Sequence, residues 1–200
     1  MFLTRAAQII GKEGFKTFGY ALHQKMHQNM TDAKAYDNYQ KRIAPKQRIT
    51  DNKADCIAIC GYSESYESML AEVSGMDAEY VAVCDEGCEL DKDYTAIVSH
   101  YIRIQKRAGR SPRYIYTDSE NYNQEAGCGL PDCKPDYSWD TLLSYNYIGD
   151  AFVAKKNALI DAINECKNHG VGDKVNYYEL SLMILSECKT ADVGHVHQVL

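Results

Sequence analysis

No run of apolar residues in this chain approaches the roughly 20 needed to span a bilayer as a helix, which argues against an integral membrane protein. The N-terminus has neither the apolar core nor the small-residue cleavage site of a secretory signal, so the expected location is cytoplasmic. Eight cysteines are present, yet no pair has the tight two-residue spacing of a zinc knuckle. No Walker segment, no GxGxxG and no Ser-His-Asp or Cys-His spacing occurs, which removes the familiar phosphate loops and nucleophile triads. Residues 51–200 are short of positive charge, with thirteen Lys/Arg against twenty-five Asp/Glu. Phosphate repels such a body, so nucleic acid is not an expected partner.

Residues 1–50 are the exception, with nine Lys/Arg and three Asp/Glu. Residues 2–29 read as a helix with Leu3, Ala7, Ile10, Phe18 and Ala21 on one side and Arg5, Lys12, Lys16 and His23 on the other. A basic amphipathic helix can make peripheral contact with an anionic membrane, at its inner face for a cytoplasmic protein, or pack on its own domain. A further helix after Thr31 stops at Pro45, giving a helical leader over 1–50. From residue 51 the rhythm is that of an α/β domain. Strands are predicted at "DCIAIC", "EYVAVC", "RYIYT", "AFVAK" and "DVGHVHQVL", with helices between them, the first capped by Ser63 and the second by Asp91. A loop is predicted from Asp118 to Tyr137. Strands spaced by helices imply a mostly parallel sheet with helices on both faces. The cysteines read as reduced core residues, with Cys56 and Cys60 on one strand face.

Ligands of such sheets gather beyond the carboxyl ends of the strands. Asp85 and Glu86 end the second predicted strand, and Asp118 and Glu120 end the third. Convergent carboxylates at that edge suit a hard divalent cation carrying a nucleotide diphosphate, so Asp85 and Asp118 are expected to share a cavity. His195 and His197 alternate onto one face of the last strand.

Several stretches go further. "EYVAVCDEGCEL", "YIYTDSENY", "PDCKPDYSWDTLLSYNYIGDAFVAKKNAL", "YYELSLMILSEC" and "GHVHQVL", in that order over residues 61–200, resemble the family 2 glycosyltransferases of bacterial surface-polysaccharide synthesis. The resemblance implies a GT-A-like nucleotide-diphospho-sugar transferase fold over 51–200, and transfer of a sugar to a glycan or lipid-linked acceptor. It implies Asp85, Glu86, Asp118 and Glu120 for the nucleotide-sugar donor, Glu179 as base, and Mn or Mg as cofactor with Asp85 and His195 as ligands. The chain departs from the family where Gly87 and Cys88 follow Asp85, and where Tyr177 replaces the first acid of the late segment. Nothing between Pro45 and Cys60 supplies the family's opening strand and Pro-x-Tyr-Asn turn, so the N-terminal half of the domain is expected to be truncated. These departures keep two rivals in play. One is a non-catalytic interaction module derived from a glycosyltransferase, pairing with itself as a homodimer or with another transferase and needing no cofactor. The other is a protein that holds a metal through its cysteines.

Overall fold

The computed structural model describes residue 36 and residues 56–123, 128–169, 172 and 174–200. Apart from Tyr36, the leader helices predicted over 1–50 lie outside the described residues. The chain divides into two compact units, Met1–Gln47 with Asn121–Leu130, and Arg48–Glu120 with Pro131–Leu200. The described part of the first is the helical Tyr36 and strand residues 121–123 and 128–130. The second carries the core.

The elements run β1 (Ile57–Cys60), α1 (Tyr66–Gly75), β2 (Tyr80–Cys84), α2 (Tyr94–Arg107), β3 (Tyr114–Asn123), β4 (Cys128–Asp132), α3 (Trp139–Ser144), β5 (Ala151–Lys155), α4 (Lys156–His169), α5 (Tyr177–Ser186) and, after a short 3-10 turn, β6 (Val193–Val199). The sheet order is β1-β2-β5-β3-β4, and β6 also pairs with β3. β1 is parallel to β2 and β3 to β6, but β5 runs antiparallel to both β2 and β3. The sheet is therefore mixed, which corrects the mostly parallel expectation at "AFVAK". The alternation of strands and helices does not set that direction, since the connection from β4 to β5 runs over residues 133–150 and is long enough for either sense.

Alternation sorts the strand side chains onto two faces. Val81, Val83, Tyr114, Tyr116, Phe152 and Ala154 share one core with Tyr66, Met69 and Val73 of α1, Leu159 and Ile163 of α4, and Leu180 and Ile184 of α5. Tyr80, Ala82, Ile115, Val153 and Val196 share the other with Tyr94, Ile97, Val98 and Ile102 of α2. Helices thus cover both faces, as the strand–helix alternation predicts. Ser65, not Ser63, caps α1, accepting from the Ser68 N–H. Ser63 instead donates its N–H to the Tyr177 hydroxyl at 3.1 Å. Asp93, not Asp91, is the N-cap of α2, and Asp91 accepts from the Asp93 N–H at 2.8 Å. The predicted loop 118–137 is partly strand, because β3 continues to Asn123 and β4 follows. Among the described residues no helix is long and apolar enough to cross a membrane.

Cys56, Cys60, Cys84, Cys88, Cys133, Cys166 and Cys188 are free thiols. β1 begins only at Ile57, so Cys56 precedes the strand and packs toward the α2 core, while Cys60 is buried in the other. The two do not share a face, contrary to the alternation extrapolated from "CIAIC". Burial, with the Glu72 charge adding to it, pushes the Cys60 thiol up to about 12. An acid whose folded pKa is raised keeps its proton in the fold after the unfolded chain has lost it, so stability is full below the unfolded value and falls as pH rises through that window. Relative to Cys60→Ala, the wild-type urea stability should fall by about 2 kcal/mol more between pH 7.5 and 10, about 1.5 pH units above the unfolded thiol's pKa.

The hydroxyl of fully buried Tyr94 has no hydrogen-bond partner among the described residues. An unsatisfied buried polar group costs about 1–3 kcal/mol. Tyr94→Phe should therefore raise stability by about 1 kcal/mol, read as a higher urea midpoint at unchanged slope.

Candidate functional site

A cavity of about 380 Å³ opens beyond the carboxyl end of β2. It is lined by Asp85, Asp150, Lys174, Glu179 and the backbone and side chains of 175–178. Asp85 is the first residue past β2. Its N–H donates to the Asp150 carbonyl at 3.0 Å, because the antiparallel register pairs Cys84 with Ala151 and so lays the residue before β5 beside the residue after β2. Asp150 was not predicted, since a parallel β5 would have carried it to the opposite edge.

Glu179 stands in the first turn of α5. Asn176 caps that helix, its side-chain oxygen accepting from the N–H groups of Tyr178 and Glu179, both at 3.1 Å. The Tyr66 hydroxyl, on α1, donates to Glu179 Oε2 at 3.1 Å and accepts from the Asn176 N–H at 3.1 Å. Burial pushes the Tyr66 phenol well up, so it remains a donor. Tyr177, which holds the position of the family's first late acid, faces inward. Burial pushes its phenol up to about 12, and the charge of Asp85 adds to that.

The other predicted residues are placed differently. Glu86 is exposed, and its N–H donates to Asp85 Oδ1 at 2.6 Å. Gly87 has φ +81°, a conformation that disfavours any side chain, so the turn itself explains why a second carboxylate is missing there. Burial raises the Cys88 thiol, which leaves it a neutral and poor ligand for a hard cation. Asp118, Glu120 and His195 do not line the cavity. The shared cavity expected for Asp85 and Asp118 is not formed by that pair. β5 separates β2 from β3 in the sheet, and Asp85 shares its cavity with Asp150 and Glu179 instead.

Asp118 and His195 form a second cluster. A register shift follows Thr117, so that Asp118 pairs with Val199 while Tyr116 pairs with His195. Such a bulge re-aims side chains. Asp118 Oδ1 lies 2.9 Å from His195 Nε2 and accepts the Lys134 N–H at 2.9 Å. The His195 ring stacks on Tyr116, centroids 4.3 Å apart and 16° from parallel, and lies 3.9 Å from the His197 ring. Buried Lys134 donates its ammonium to the Ile148 carbonyl. Burial pulls its pKa down, against the opposing charges of Asp132, Asp118 and Asp150. Gly149, with φ +86°, lets this side chain pass, since a Cβ there would stand 3.2 Å from Lys134 Nζ.

For the divalent ion implied by the family resemblance, Asp85 and Asp150 are all-oxygen donors at one cavity wall. That suits a cation bound by one or two carboxylates and completed by substrate phosphates and water. Among the described lining residues Lys174 is the one cationic side chain. With three carboxylates against it, a diphosphate would enter favourably only together with a cation.

No family model matches the chain, no curated protein matches it, and no solved structure matches it.

Proposed function

We propose that this chain is a glycosyltransferase-like protein that binds a nucleotide-diphosphate sugar and passes the sugar to a hydroxyl of a glycan or lipid-linked acceptor. One observation carries the reading. Asp85, from the end of β2, and Glu179, from the start of α5, line the same cavity, and the family resemblance gives the first to the donor and the second to the base.

Asp85 and Asp150 would hold Mn or Mg at the donor diphosphate, and the ion supplies charge neutralisation of the departing nucleotide. Lys174 adds a direct partner for a phosphate oxygen. Glu179 takes the acceptor hydroxyl's proton as that oxygen bonds to the anomeric carbon and the bond from that carbon to the diphosphate oxygen breaks. Tyr66 fixes the Glu179 carboxylate for this task, and Asn176 holds the Tyr66 hydroxyl and the Glu179 backbone N–H in place.

The test is calorimetry of the full chain with UDP- and dTDP-sugars, with and without manganese. Wild-type protein should give heat with at least one donor when manganese is present, and Asp85→Ala should remove it. Silence with every donor in manganese overturns the proposal.

A further inference from the structure

We propose a second metal site, distinct from the donor cavity: His195 Nδ1, His197 Nε2 and the Asp136 carboxylate hold a zinc-class transition-metal ion, with Asp118 behind His195 as the carboxylate that orients it. The inference does not rest on the glycosyl-transfer reading.

The starting point is an atom without a partner. The His195 side chain is 6% exposed, and its Nδ1 is buried with no hydrogen-bond partner among the described residues. Its other nitrogen is committed, since Nε2 lies 2.9 Å from Asp118 Oδ1. Asp118 Oδ1 already accepts the Lys134 N–H, and a carboxylate oxygen is an acceptor only. Nε2 therefore carries a proton, and Nδ1 is the buried ring nitrogen left without a partner. An imidazole with one nitrogen tied to a carboxylate and the other bare is the usual arrangement of a histidine ligand.

A carboxylate and a second imidazole lie beside that nitrogen. Asp136 Oδ1 lies 3.6 Å from His195 Nδ1 and 3.7 Å from His197 Nε2. Both distances are too long for a hydrogen bond. They are close to the separation between ligands that share one ion, about 3.4 Å for tetrahedral geometry with bonds of about 2.1 Å. Among the described residues, the one group of three His, Cys, Asp or Glu side chains whose ligand atoms fall within 4.8 Å of one another is Asp118, His195 and His197. Asp118 belongs to the outer ring of this group, because its oxygen touches His195 Nε2 directly. Asp136 completes the inner set from the loop between β4 and α3.

Two imidazoles and one carboxylate select a first-row transition ion over Mg or Ca, which prefer all-oxygen shells. His197 and Asp136 have side chains 68% and 88% exposed, so the ion reaches the site from solvent and keeps an open coordination position there. Binding ties the 133–138 loop to β6.

The experiment is a cobalt titration of the metal-free full chain followed by visible absorption, with zinc competition. One equivalent of cobalt should bind, giving d–d bands and no thiolate-to-cobalt charge-transfer band, and zinc should displace it. His197→Ala and Asp136→Ala alter exposed side chains and should each weaken binding by about 100-fold or more. Asp118→Asn should keep the stoichiometry and the d–d bands while weakening affinity by about 10–100-fold, the range for an orienting carboxylate. Asp85→Ala should leave the spectrum in place, which separates this site from the donor cavity. The proposal is overturned if no cobalt binds below millimolar concentration or if His197→Ala leaves the affinity unchanged. A thiolate band, placing the ion on a cysteine such as exposed Cys133, would overturn it equally.

Discussion

Glu179→Gln is expected to lower the rate of sugar transfer by about 10²–10⁴-fold, the contribution typical of a positioned general base. That corresponds to about 2.7–5.5 kcal/mol of barrier. The substitution is chosen so that little else changes. Glutamine keeps an oxygen to accept the Tyr66 hydroxyl now 3.1 Å from Glu179 Oε2, and the Asn176 cap of α5 does not involve the Glu179 side chain oxygen. Donor heat in calorimetry and the urea midpoint should therefore match wild type while turnover collapses. If turnover is unaffected, Glu179 is not the base. If donor heat persists in wild-type protein but no acceptor hydroxyl is ever glycosylated, the chain is the binding module that was its rival, and the cavity serves recognition alone.

Phe152→Ala should lower the stability of the folded chain by about 3–5 kcal/mol, the usual cost of emptying a buried aromatic site. Phe152 is fully buried and stacks on Tyr114 with centroids 4.9 Å apart and planes 19° from parallel. It lies opposite Val83 across the β2/β5 ladder. The position matters because β5 is the strand that joins the β1-β2 part of the sheet to the β3 part. A domain of this size has about 5–15 kcal/mol in total, so the variant should unfold at a much lower urea concentration. It should also lose the apposition of Asp85 and Asp150 earlier than it loses helix. Near-wild-type stability would mean that β5 is not the keystone of the sheet.

Much of this architecture was legible from pattern. The strands at residues 57–60, 80–84, 151–155 and 193–199 and the helices between them follow from short apolar runs separated by amphipathic ones, and those signals are local. What failed was non-local. The direction of β5 is not reported by periodicity, and with β5 reversed Asp150 arrives where no strand-end argument would put it. The pairing of Asp118 with His195 depends on a bulge in the β3/β6 register, and a bulge of this kind leaves no cue in "YIYTDSENY". Asp136 was passed over because it sits in a turn-rich stretch where acids are ordinary. Asp85 and Glu179 were found because each stands at the end of a strongly patterned element, and element ends are where a sheet edge gathers chemistry.

The most direct measurement of the donor-site account is a crystal of the protein grown or soaked with manganese and UDP, with data collected at the manganese absorption edge. The account predicts an anomalous peak against the carboxylates of Asp85 and Asp150 with the diphosphate beside it and Glu179 across the cavity. Nucleotide bound on another surface, or a cavity that stays clear of both metal and nucleotide at saturating concentration, would contradict it.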